Sequence, residues 1–258
     1  MAPAHGVTME DLGRAESGTG PVGAAIDLDF GGRRQRIPAG STFVIGRGAD
    51  LAMDDNQYVH RRFLELEQRE GVWWLSNVGS RLTASVASAD GMAQSLLAPG
   101  ESTPLVFPAT TVMFTAGPTT YEIELSTESP FYQVSTPWAS ASDEADVIGL
   151  LSPVQKIVLT ALSEPMLRQA AQGAVRLPPM DDVAIRLGWP LAKLERRAGS
   201  LCDKFARHGV RGLHRDAEGR MPDAVRSRLV EHAVGARIVT PDDLELLEAF
   251  DPQGAVVS

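Results

Sequence analysis

A single cysteine, Cys202, among 258 residues excludes an internal disulfide framework and any multi-cysteine metal site. The five histidines, at 5, 60, 208, 214 and 232, fall at no ligand spacing such as His-x-x-x-His, so no structural zinc is expected. No stretch approaches the roughly 18 consecutive apolar residues of a membrane span. The first thirty residues, with Glu10, Asp11, Arg14 and Glu16, lack the basic-then-apolar pattern of a secretory leader. The expectation is a cytoplasmic chain with no membrane partner. There is no GxxxxGK[ST] phosphate loop, no GxSxG elbow and no HExxH, so neither an enzyme nor a bound cofactor is expected.

Lysine is absent from residues 1–150, which carry nine arginines against nineteen acidic side chains. Residues 190–237 reverse the balance, with eleven basic against six acidic groups. The formal charge of -9 therefore hides an acidic front and a basic rear element. Such a chain is not drawn as a whole to nucleic acid, but one surface near its C-terminus can face a polyanion. The length suits two domains.

From Ala24 the chain offers short alternating segments punctuated by Gly, Pro, Asn and Asp, the pattern of an all-β sandwich. Ile26, Leu28 and Phe30 alternate with Asp27 and Asp29, Leu64 and Leu66 with Glu65 and Glu67, and Tyr121, Ile123 and Leu125 with Glu122 and Glu124. Val72–Ser76 and Thr111–Thr115 are further strands. No helical period precedes residue 150. Residues 126–149 are rich in Ser, Thr and Pro and read as a linker, in which Phe131, Tyr132 and Trp138 are expected to pack back on a domain.

The rear is helical. Ser152 and Pro153 form an N-cap and first-turn pair before the stripe Val154, Ile157, Val158, Ala161 and Leu162, and Pro165 is expected to end or kink that helix. Met180–Leu187 is a second helix stopped by Gly188. Leu191, Leu194, Ala198, Leu201 and Phe205 define a third, ending at Gly209. Its other stripe carries Lys193, Arg197, Ser200, Lys204 and Arg207. A Gly-punctuated basic loop follows, with His214, Arg215 and Arg220, then a helix from Asp223 to Gly235 and a last short one opened by Thr240 and Pro241. Cys202, beside Leu201, reads as a small core residue rather than a nucleophile.

The segment FVIGRGADLAMDDNQYVHRRFLEL, followed by GVWWLSNVGS, resembles the forkhead-associated (FHA) family, whose members bind phosphothreonine peptides on loops at one end of a β-sandwich. Gly46 and Arg47 end a strand, His60 precedes the next, and Trp74 stands ahead of Gly79 and Ser80. The likeness implies a phosphopeptide site at Arg47, Gln57, Ser80 and Arg81, with His60 bracing the loops. It also asks for a hydroxyl three residues before the histidine and an asparagine two residues after Gly-Ser. Here those positions hold Gln57 and Leu82, with Thr83 in place of the following glycine. Losing one charged and one neutral hydrogen bond removes roughly 2 to 4.5 kcal/mol. A micromolar ligand, at about -8 kcal/mol, would then fall towards the millimolar range. Weak selectivity for phosphothreonine is expected, with Arg61, Arg62 and Arg81 near enough in sequence to supply replacement contacts. Asp50 and Asp54 are alternative partners for Arg47.

The segment MDDVAIRLGWPLAKLERRAGSLCDKFARHGV is similar to a helix-turn-helix of the sigma-factor or response-regulator type, and the basic loop after it suggests a winged variant. That likeness implies a recognition helix in the major groove, with Lys193, Arg196, Arg197 and Ser200 facing the groove. Lys204, Arg207, Arg215 and Arg220 would hold the DNA backbone, and five or six phosphate contacts would give salt-sensitive binding.

The expected architecture is therefore multidomain: a tail over 1–23, an all-β FHA-like sandwich over 24–125, a linker over 126–149 and an all-α, winged helix-turn-helix domain over 150–258. The expected function is a non-enzymatic signalling adaptor that couples a protein partner, threonine-phosphorylated or not, to DNA and so regulates transcription. The alternative is a protein scaffold in which both domains bind protein. The opposite charges of the two halves also predict that they touch, with the sandwich covering the basic helix.

Overall fold

The computed structural model describes residues 23–53, 55–128, 151–168, 173–216 and 220–250. Numbered in chain order, the strands of one sheet are β1 (Ile26–Phe30), β2 (Arg33–Ile37), β7 (Ala84–Ser88), β8 (Gln94–Leu97), β10 (Ala109–Ala116), β11 (Thr119–Thr127) and β12 (Ala174–Arg176). Those of the other are β3 (Phe43–Gly46), β4 (Leu51–Ala52), β5 (Leu64–Arg69), β6 (Val72–Asn77) and β9 (Ser102–Pro104). The first runs β2-β1-β11-β10-β7-β8, with β12 added on β11, and the second β4-β3-β5-β6-β9.

Alternation builds the sandwich as expected. Ile26, Leu28, Leu64, Leu66, Tyr121, Ile123 and Leu125 are all buried between the sheets while the acidic residues between them face outward. Phe63 meets Phe114 edge-on at 4.6 Å, and Phe114 stacks on Tyr121 at 5.0 Å. The hairpin from β1 to β2 turns on Gly31 and Gly32, both at positive φ, which glycine adopts without steric cost. β2 itself is exposed along four of its five residues, three of them arginines, so periodicity gave no signal for it.

The helices are α1 (Pro153–Arg168), α2 (Met180–Arg186), α3 (Leu191–Arg207), α4 (Asp223–Gly235) and α5 (Leu244–Glu248), the last preceded by a 3-10 turn over Pro241–Asp243. At the start of α1, the Gln155 amide donates to Ser152 Oγ and the Ser152 amide to Gln155 Oε1, a reciprocal cap. Leu194, Ala198, Leu201, Cys202 and Phe205 of α3 pack with Val158, Leu159 and Leu162 of α1 in one apolar cluster. Gly188 and Gly209, both at positive φ, follow α2 and α3.

Three expectations need correction. Of the two outcomes expected at Pro165, ending the helix is ruled out: α1 continues to Arg168, with Met166 and Leu167 buried and Arg168 paired with Glu164. So close to the C-terminus, proline removes one hydrogen bond that packing replaces. The strand β11 runs to Thr127, two residues past the expected boundary of the sandwich. The rear segment is not all-α, because β12 pairs antiparallel with Thr119–Tyr121 of β11. It occupies the half of β11 that β1 leaves free, since β1 pairs only from Glu124 onward. No strand follows α3 among the described residues, and residues 217–219 of the loop read as a wing lie outside them. Phe131, Tyr132 and Trp138 lie outside the described residues.

The two halves do touch, but through α4 and not through the basic helix. α4 lies on the outer face of β7 and β10, where Met113, pointing out of the sandwich, joins the helical cluster. That is why all five residues of β7 are buried. A Cβ on Gly235 would stand 2.9 Å from Met113 Cε and 2.8 Å from Gln94 Nε2, so the last turn of α4 approaches the sheet closely. Polar groups complete the contact: Thr115 Oγ1 donates to Glu231 Oε1 at 2.6 Å, Arg228 Nη1 to Ser85 Oγ at 3.2 Å, and Arg237 Nη1 to the Ala89 carbonyl at 3.2 Å. His232 Nδ1 pairs with Gln94 Oε1.

Candidate functional site

The loops after β3, β4 and β6 gather at one end of the sandwich. The Arg47 amide donates to the His60 carbonyl at 2.9 Å, and a Cβ on Gly46 would stand 2.4 Å from the Arg61 carbonyl oxygen, so only glycine lets these two loops meet. His60 Nε2 lies 3.2 Å from Ser80 Oγ and its ring stacks beside Phe63 at 6.3 Å. The histidine thus joins the β4–β5 loop to the β6–β7 loop, the bracing role its position implies. Arg47, His60 and Ser80 are brought together, and Arg81 follows directly in the same exposed loop.

Asn77, at the end of β6, organises the third loop. Its buried Nδ2 donates to the Leu82 and Leu97 carbonyls, and its Oδ1 accepts the Gly79 amide. The same stretch turns Leu82 inward, where it packs against the sandwich core. Position 82 therefore gives stability where a peptide-binding asparagine would give a hydrogen bond. Gln57 is exposed with no side-chain partner among the described residues, flanked by Tyr58 at 56% exposure. Asp50 accepts the Val44 amide, and among the described residues Arg47, Arg61 and Arg81 have no ion-pair partner, whereas Arg62 pairs with Glu65. Asp54, the other carboxylate expected near Arg47, lies outside the described residues. Arg47, Arg61 and Arg81 on adjoining loops, with exposed Tyr58 and Val78 close in sequence, suit a partner that carries anionic and apolar groups together.

The neighbouring turn between β10 and β11 belongs to the same end. Asn56 Nδ2 donates to the Ala116 carbonyl and to Tyr121 Oη, both at 2.9 Å, and Tyr58 covers Gly117. Sequence reading did not find Asn56, because its partners lie 60 and 65 residues away.

The second candidate surface is α3. Arg196, Arg197, Ser200 and Arg207 are exposed, and none of the sandwich contacts falls on them. The other members of the predicted set are engaged. Lys193 Nζ stands 4.0 Å over the Trp189 ring, Lys204 Nζ donates to Gln155 Oε1, Arg215 pairs with Asp203 at 2.8 Å, and Arg220 pairs with Asp216 at 3.2 Å. The exposed stripe also includes Glu195 and Asp203. Cys202 sits beneath it, fully buried, and burial pushes its thiol up to about 11, which suits a core residue.

No family model matches the sequence, and the curated proteins give no match. Among solved structures, the chain is similar to the FHA domain of an Arabidopsis thaliana hypothetical protein, at 19% identity over 48% of this chain and 100% of that one, with a TM-score of 0.33. It is similar to the FHA domain of human APLF, solved with an XRCC1 bisphospho peptide, at 23% identity over 40% and 97%, with a TM-score of 0.33. A Mycobacterium tuberculosis FHA domain is 16% identical over 41% and 97%, with a TM-score of 0.31. The front of the chain is a two-sheet β-sandwich that continues into a helical C-terminal part.

Proposed function

We propose that the chain is a non-enzymatic adaptor with two binding surfaces: an anionic protein segment at the loop end of the sandwich, and duplex DNA at α3. The observation that carries the DNA half is the row Arg196, Arg197, Ser200 and Arg207, exposed on a 17-residue helix. Helices α2 and α3, joined by the tight Leu187–Pro190 turn, have the helix-turn-helix order, with α3 in the recognition position. The protein half rests on Arg47, Arg61 and Arg81. With Gln57 and Leu82 where a hydroxyl and an amide would complete a phosphothreonine site, negative charge matters there more than the shape of a phosphothreonine. A regulator of transcription that takes its input at the sandwich is the role this pairing supports.

One observation favours the scaffold reading. Ile185 of α2 is 78% exposed, and Asp181 and Asp182 in the first turn of the same helix would face DNA phosphates with the wrong sign. The experiment that decides is fluorescence anisotropy of the full chain with random duplex DNA. Binding that Arg196→Glu with Arg197→Glu weakens supports the DNA reading, whereas no binding even at low salt leaves the scaffold.

A further inference from the structure

A cleft of about 310 Å³ lies between the sandwich and the helical part. Its walls come from three places: Gln94 and Ser95 on β8, His208 and Arg211 after α3, and Arg228 and His232 on α4. Among the described residues no carboxylate lines it, and Glu231 pairs with Arg228. Arg211 is exposed and has no ion-pair partner among the described residues.

Arg228 is more constrained. Its side chain is 13% exposed, Nε donates to the Arg211 carbonyl at 3.3 Å and Nη1 to Ser85 Oγ at 3.2 Å. The facing carboxylate, Glu231 Oε2, is 3.8 Å away, and the other oxygen of Glu231 is taken by Thr115. Burial accordingly lowers the Arg228 pKa below the ordinary guanidinium value. Arg228 is thus ion-paired with Glu231 through one long contact and held by two neutral acceptors, while Arg211 stands unpaired among the described residues at the mouth, so an anion placed between the two guanidinium groups gains charge-assisted hydrogen bonds from both. Gly209 and Gly212, both at positive φ, bend the loop that carries Arg211 over this spot.

We propose that this cleft binds a phosphate dianion, free or as a small phosphomonoester, between Arg211 and Arg228, with His208 and the Ser95 hydroxyl as further donors. The volume accommodates a phosphate with a small organic group and not a duplex. Because its walls belong to both halves, the bound anion ties the sandwich to the helices, and the ligand stabilises the docked arrangement by mass action.

The test is thermal unfolding of the full chain in a titration of inorganic phosphate against chloride at matched ionic strength, with phosphorus NMR line width as a second readout. A rise of about 4 °C or more at saturation is expected, with broadening of the phosphate resonance. Arg211→Glu places its own carboxylate in the cleft and should remove both effects without lowering the midpoint in chloride. Arg47→Ala and Arg197→Ala should retain both, since those residues lie on the other two surfaces. Tenfold tighter binding of a nucleoside monophosphate would identify the ester as the ligand, and equal affinity would identify inorganic phosphate. No rise over chloride, a rise that survives Arg211→Glu, or one that Arg47→Ala removes would each overturn the proposal.

Discussion

Arg47, His60 and Ser80 were legible as a group because each sits at a fixed spacing from a glycine or a strand end, and the loops join where that spacing implies. Gln57 and Leu82 were legible as departures, but not the inward packing of Leu82, which depends on how Asn77 folds the loop. Gln57→Thr therefore has a definite effect: the new hydroxyl adds one hydrogen bond to a charged phosphate, about 1.5 to 3 kcal/mol. Calorimetry should show affinity for a phosphothreonine peptide rising by about tenfold or more, with affinity for the plain peptide unchanged. Leu82→Asn restores the other family position only by withdrawing a packed side chain, at a cost of about 2 kcal/mol or more in stability. Chemical denaturation measures that directly, and an unchanged midpoint would mean that Leu82 does not contribute to the core.

At the scale of the element, α4 was found within its observed bounds from sequence, yet its role was not. Val225, Leu229, Val230 and Ala233 belong to the helical cluster, while Glu231, His232 and Gly235 are buried against the sheet. A helix buried on both sides shows no single apolar stripe, and its polar partners lie 116 and 138 residues away. Gly235→Leu should drive a side chain against Met113 and Gln94, lowering the unfolding midpoint while leaving far-ultraviolet helix content unchanged at low temperature.

The titrations of this helix oppose one another. Burial raises Glu231 from 4.5 to about 6, with Thr115 and Arg228 working the other way, and burial with the Arg228 charge lowers His232 from 6.5 to about 4. The folded state holds the Glu231 proton that the unfolded state has lost, so this group's contribution declines as pH rises from 4.5 to 6. The unfolded state holds the His232 proton that the folded state refuses, so that contribution declines as pH falls from 6.5 to 4. In the window they share, the two slopes cancel. Relative to the wild type, His232→Gln should gain stability and Glu231→Gln lose it as pH falls from 6 to 4.5, each by up to about 1.4 kcal/mol per pH unit. Urea midpoints across that range check this, and parallel curves for all three proteins would contradict it.

For the whole molecule, net charge suggested that the acidic front would cover the basic helix, and the structure has another arrangement. Contact is made by α4 and by β12, while the exposed arginines of α3 face outward. Net charge decided neither the register of β12 nor the burial of Met113, which follow from an unpaired half-strand and an outward apolar side chain. The proposal that the exposed face of α3 meets DNA is tested by a salt series of full-chain binding to random duplex. With Lys193, Arg196, Arg197 and Arg207 as contacts, log affinity should fall against log salt with a slope of about -3 to -4, and Arg196→Glu with Arg197→Glu should flatten it by about 2. Arg47→Ala should leave the slope as it is. A slope near zero, or one that the double reversal does not change, would contradict the account.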